Sequence, residues 1–194
     1  MTARIHHGLP DTLRDAAAVL YWEAFGAKLG RVMGPTPKAL AFLAQTLRSN
    51  HAVVAISPAG ELLGIAGFKS YHGSFAGGDW ADLRAVYGVP GAAWRAAALS
   101  LLERDVENER FLMDGICVSA QARGQGVGTL LLNAICAEAR ARHYRAVRLD
   151  VIDTNPRARA LYARMGFVEG KTDRMGVLRH IFGFEAATTM IKTL

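Results

Sequence analysis

The chain has 194 residues, of which 51% are apolar and 21% charged, enough to bury a sizeable core and too apolar for a disordered protein. No apolar run approaches the roughly 20 residues of a membrane span. Residues 1–8 lack the apolar core of a secretion signal, so a cytoplasmic globular protein with one domain over 1–194 is expected. The net charge of +6 is spread thinly. Its one dense stretch, Arg140, Arg142, Arg145 and Arg148, falls where a helix should end, and arginines there complement the helix dipole as readily as they bind an anion. Without zinc-knuckle spacing or basic–aromatic interleaving, neither nucleic acid nor membrane is an expected partner. Cys117 and Cys136 lack metal-ligand spacing, so buried free thiols are favoured over a disulfide and no metal is expected.

Residues 3–7 read as a first strand. Thr12-x-x-Asp15 has the form of a capping box, opening a helix through Phe25 with Leu13, Ala16, Ala17, Leu20 and Ala24 at helical spacing and Gly30 and Gly34 interrupting. Thr36-Pro37 predicts the N-cap and first position of a second helix, Lys38 to Arg48. Residues 52–57 and 62–68, joined by a Pro-Ala-Gly turn, form a hairpin. Between 71 and 110 the pattern loosens: Asp79 is a cap candidate, Pro90-Gly91 a break, and 92–103 a helix. Next come a strand at 111–119, a helix at 129–142 and a strand at 146–152. A helix at 156–165 ends at Gly166 in the left-handed cap position, and strands follow at about 167–172 and 184–192. Hairpins together with helical crossovers imply an α/β (α+β) layer fold on a mixed sheet.

The most informative stretch is 114–132, in which a strand breaks into Gly124, Gln125, Gly126, Val127 and Gly128 and re-emerges as a helix at Thr129. Glycines before a helix N-terminus let an anion reach amides that have no intrahelical acceptor. A P-loop is excluded by the missing lysine. A dinucleotide fingerprint is disfavoured, though not eliminated, because the third glycine position holds Thr129 while Asp150 supplies an acid at the next strand end.

Gln121-Ala-Arg123-Gly-Gln-Gly126, overlapped by Arg123 to Gly128, resembles the Gln/Arg-x-x-Gly-x-Gly/Ala signature of the GNAT superfamily of acetyl-CoA-dependent N-acetyltransferases. Asn155-Pro-Arg-Ala-Arg-Ala-Leu161-Tyr162-Ala-Arg-Met-Gly166-Phe167 resembles the family's second signature, at the family's spacing. The resemblance implies a central mixed, mostly antiparallel sheet of about seven strands, helices on both faces, and a V-shaped splay between the fourth and fifth strands. It also makes 71–110 an insertion between the third and fourth strands.

The cofactor so implied is acetyl-CoA, its pyrophosphate cradled by Arg123, Gly124, Gln125, Gly126, Val127, Gly128 and Thr129. Its pantetheine arm would run along Ile116, Cys117 and Val118 and bond Asn155, which sits equally well as the cap of its own helix. The backbone N–H of Val118 would stabilise the oxyanion, and Tyr162 would protonate the leaving thiolate. For the general base three carboxylates stand open: Asp114, placed by simple alternation on the same strand face as Val118, then Glu23, then Asp150. The acids of residues 103–110 suggest a cationic acceptor, an aminosugar of the aminoglycoside kind or a polyamine, with antibiotic resistance as a corollary. A protein N-terminal or lysine amine, or a non-catalytic acyl-CoA sensor, are the alternatives, and a homodimer is left open.

Overall fold

The computed structural model describes residues 3–70, 72–101 and 109–194. In chain order they form β1 (Arg4–His7), α1 (Arg14–Met33), α2 (Thr36–Thr46), β2 (Ala52–Ile56), β3 (Leu62–Ser70), β4 (Gly73–Ser74) and α3 (Trp80–Ser100). There follow β5 (Phe111–Val118), α4 (Val127–Ala141), β6 (Ala146–Ile152), α5 (Pro156–Arg164), β7 (Val168–Arg174), α6 (Arg179–Phe182) and β8 (Ala186–Thr193). The sheet runs β1-β2-β3-β5-β6-β8-β7, with β4 folded back beside β3. That two-residue strand, pairing Gly73 with Ser70 and Ser74 with Lys69, makes eight strands where about seven are expected.

Helix starts follow the side chains actually free to cap. Asp79 makes the box expected of it, accepting from Asp82 N–H at 3.0 Å while its own N–H reaches the Asp82 carboxylate at 2.9 Å. Thr12 and Asp15 do not form theirs. A 3₁₀ turn over Asp11–Leu13 precedes α1, and Arg14 clamps the entry instead, to Asp11 at 2.8 Å and to Leu47 O. Thr36 lies inside α2 rather than capping it, because its hydroxyl is taken by Trp22 Nε1 at 3.3 Å. Gly30 stays within α1, and only Gly34 ends it. In α3 the break falls at Gly88, the residue able to take φ +70°, and Pro90 opens the second arm. Most of the acidic stretch 103–110 lies outside the described residues.

Helices cover both faces of the sheet. On one, Leu131, Ile135 and Ala139 of α4 pack with Val53, Phe68, Phe111 and Leu149. On the other, Ala17 and Tyr21 of α1 and Leu43 of α2 pack with Val54, Ile65 and Cys117. The buried stripe of α1 is therefore turned from the Ala16–Ala24 line toward Ala17, Tyr21 and Phe25. Each fully buried Leu, Ile or Phe in these layers contributes about 1.5–3 kcal/mol. Of the basic stretch, Arg142 lies over the Phe68 ring at 4.7 Å and pairs with Glu138, while Arg148 approaches Asp150 at 3.6 Å. Cys117 and Cys136 are buried and free, as the sequence implies.

The adjoining pair β5–β6 is parallel, and its register holds only at Phe111↔Val147 and Leu112↔Arg148. Past Leu112 the two strands part, β5 staying on β3 as far as Val118 and β6 on β8 as far as Ile152. That divergence is the expected V, opening toward the glycine turn.

Candidate active site

Where the V opens, β5 carries an irregularity. Gly115 opposes Gly67 and Met113 opposes Phe68, leaving Asp114 as the one residue between Leu112 and Val118 without a partner on β3. Such a bulge reverses side-chain alternation. Phe111, Met113, Ile116 and Val118 all face the α4 layer, whereas Cys117 joins the α1–α2 layer and a Cβ on Gly115 would lie 2.7 Å from Phe25. Asp114 is thus not on the face of Val118, as unbroken alternation requires; it opens toward α1, on the opposite side of the sheet.

That side holds a cleft of about 480 Å³. Tyr21, Phe25 and Lys28 reach it from α1 at i, i+4 and i+7, one face of the helix. Lys69 comes from the end of β3, Asp79 and Trp80 from the start of α3, Asp114 from the bulge and Asp150 from β6. Asp114 touches the water of the cleft yet is ringed by protein. Burial raises its pKa, while Lys69, a hydrogen bond from the Ala76 N–H and Lys28 pull it back. Burial likewise lifts the Tyr21 phenol well above its ordinary value, and the charge of Asp114 adds to the rise. Nothing in the α1 pattern read as amphipathic marks Tyr21 and Lys28 as cleft residues. Their seven-residue spacing on a helix otherwise lined with alanines was the available signal.

At the other end of β5 the chain makes the glycine turn. Ser119 N–H bonds Leu63 O at 2.9 Å, and since antiparallel ladders alternate, the amides of Ile116 and Val118 point away from β3 into the V. Val118 O, on that same open edge, accepts Arg123 Nε at 3.2 Å. Gly124 and Gly126 take φ of +78° and +81°, and nothing stands within 4 Å of a Cβ placed on either. The first i→i−4 bond of α4 is Leu130 N–H to Gly126 O at 3.0 Å, so the amides of Val127, Gly128 and Thr129 have no intrahelical acceptor. Gly128 serves packing instead: its Cβ would meet Leu161 Cδ2 at 3.0 Å, which sets how closely α4 approaches α5.

The family model for the acetyltransferase (GNAT) family matches residues 15–167, which include the bulge, the turn and the Asn155–Phe167 run. The chain belongs to the GNAT acetyltransferase family. No curated protein sequence matches it. Solved structures match across its length. A histone acetyltransferase HPA2 and related acetyltransferase from Corynebacterium glutamicum shares 21% identity at TM-score 0.66, over 100% of this chain and 97% of that one. Ribosomal-protein-alanine N-acetyltransferase from Brucella melitensis shares 18% at TM-score 0.64, over 98% and 99%. An acetyltransferase from Bacillus anthracis, in complex with acetyl coenzyme A, shares 16% at TM-score 0.50, over 74% and 61%.

In this acetyltransferase the remaining expected site residues separate by environment. Asn155 caps α5, its Oδ1 accepting Ala158 N–H at 3.1 Å, which leaves the amide nitrogen to donate elsewhere. Tyr162 is buried beside Phe167, its phenol pushed far up by desolvation and therefore protonated at neutral pH. Cys117 turns its thiol into the α1 layer, where burial, less a hydrogen bond with Ile65 and with some help from Glu23, pushes the pKa up to about 12; only its backbone borders the V. Glu23 is exposed and lies outside the cleft lining. Asp150 does line the cleft, but Thr189 Oγ1 donates to its Oδ1 at 2.5 Å and Arg148 lies 3.6 Å from its Oδ2. Among the described residues no cluster of ligands suited to a metal occurs, and no helix is long and apolar enough to cross a membrane.

Proposed function

We propose that this chain transfers the acetyl group of acetyl-CoA to the primary amine of a small molecule seated beside Asp114. The observation that carries this reading is the two-sided use of β5. Its open edge runs from the bulge to the glycine turn, while the bulge itself presents a carboxylate to a cleft on the other side of the sheet. The fit to the cofactor rests on the turn: two glycines with unfilled Cβ space stand before three unpaired helix amides, a cradle for pyrophosphate.

Acetyl-CoA supplies an activated thioester; the chain supplies position and protons. Asp114, directly or through water, takes a proton from the amine. The nitrogen lone pair then forms a C–N bond to the thioester carbon while the C–S bond breaks. Val118 N–H, with Ile116 N–H on the same edge, donates to the carbonyl oxygen as it gains charge. Tyr162, held protonated by burial, gives its proton to the departing sulfur and is restored by the second proton, which the acylated nitrogen releases as it becomes the amide N–H. Asp150 and Glu23 are weaker candidates for the base, the first already bonded to Thr189 and the second outside the cleft. Asp114, with Asp79 and Asp150 among the described residues of the cleft, attracts the ammonium form of a primary amine.

Mass spectrometry of an amine panel, incubated with the protein and acetyl-CoA, tests the reading. An N-acetylated product is expected from at least one amine. Tight acetyl-CoA binding with no acetylated product from aminosugars, polyamines, amino acids or peptide N-termini would instead establish an acyl-CoA sensor.

A further inference from the structure

Resting on the acetyl-transfer reading, we propose that the acceptor is a monoamine carrying a carboxylate next to its amine and an apolar side chain, an apolar α-amino acid in chemical class. The charges of the cleft decide this. Among the described residues its carboxylates are Asp79, Asp150 and Asp114. Asp79 caps α3 through Asp82 N–H, and Asp150 is held by Thr189 and flanked by Arg148. Asp114 accepts the Ala76 N–H and stands at the bulge, where an amine would meet it, and Lys69 and Lys28 face it from β3 and α1. A polyamine or aminoglycoside would bring further ammonium groups up to these two lysines, a like-charge contact inside a partly desolvated cleft. A carboxylate one carbon from the reacting nitrogen would meet them while the amine reaches Asp114.

The rest of the cleft wall is apolar. Phe25, Phe42, Trp80, Leu83 and Leu99 line it, and Lys28 itself rests over the Phe184 ring at 5.3 Å. At about 480 Å³ the cleft has room for such a ligand.

Coenzyme A release from acetyl-CoA is compared for L-phenylalanine and L-leucine, for their decarboxylated counterparts phenethylamine and isopentylamine, and for spermidine. The amino acids are expected to exceed both decarboxylated amines and spermidine in kcat/KM by about 10- to 100-fold, the worth of a charge-assisted contact. Lys69→Met, and independently Lys28→Met, should shrink that ratio, chiefly through the KM of the amino acid. Equal or better turnover of phenethylamine or spermidine would overturn this inference and leave acetyl transfer standing, and so would a ratio unmoved in both variants. No release with any amine would overturn both.

Discussion

Asp114 is ionisable, ringed by protein, and displaced by a bulge into a cleft. Its raised pKa has a consequence for stability. A carboxyl whose folded pKa exceeds its unfolded one holds more protons in the folded state between the two values, so stability falls as pH rises through that window. Asp114→Asn should therefore melt no lower than the native protein at pH 7, and the difference should shift against the variant at a pH below the unfolded carboxylate value, near 4. A variant that melts lower at both pH values would mean that the Ala76 hydrogen bond outweighs desolvation. Tyr162→Phe should lower kcat by about tenfold or more while leaving acetyl-CoA affinity unchanged, since the hydroxyl is asked only for a proton. Calorimetric titration with acetyl-CoA separates that outcome from a packing defect. Tyr162 stands inside a thirteen-residue signature, whereas the placement of Asp114 on the face of Val118 rests on an alternation that the bulge breaks. A bulge is a pairing property, and no residue of β5 announces it.

The glycine turn shows, at the scale of an element, how three like residues divide their work. Gly124 and Gly126 adopt left-handed φ with open space around them, so Gly126→Ala should cost roughly 1–2 kcal/mol of backbone strain and weaken acetyl-CoA binding. Gly128→Ala sets a methyl against the mobile end of Leu161 while gaining helix propensity of about 1 kcal/mol, so its melting temperature should stay close to the native one, with cofactor affinity following only as α4 moves. Thermal melts and acetyl-CoA titrations on the two variants would separate strain at the anion site from crowding between helices. Caps were read with similar unevenness. Asn155 and Asp79 act as expected because each stands alone before its helix with a partner three residues on. Thr12 and Thr36 do not cap: Arg14 ties the α1 entry to Leu47 O, 33 residues on, and Trp22 donates to Thr36 from 14 residues before it. Local sequence cannot register a competitor that arrives through folding.

For the whole molecule, the family resemblance that the two signatures carry implied the central sheet and the splay, and β5 and β6 do part after Leu112. What they could not reach is the α1 side, where the cleft is assembled from α1, β3, α3 and β6 by contacts distant in sequence. In the proposed mechanism the cofactor lies along the open edge of β5 and the amine in the cleft, on either side of one strand. The measurement that tests this most directly is coenzyme A release as a function of amine concentration in the native protein and in Asp114→Asn. The account predicts saturable, amine-dependent release by the native protein. It predicts a fall in kcat of about 10²- to 10⁴-fold in the variant, with acetyl-CoA affinity intact. Undiminished turnover in Asp114→Asn across pH 6 to 9 would contradict it.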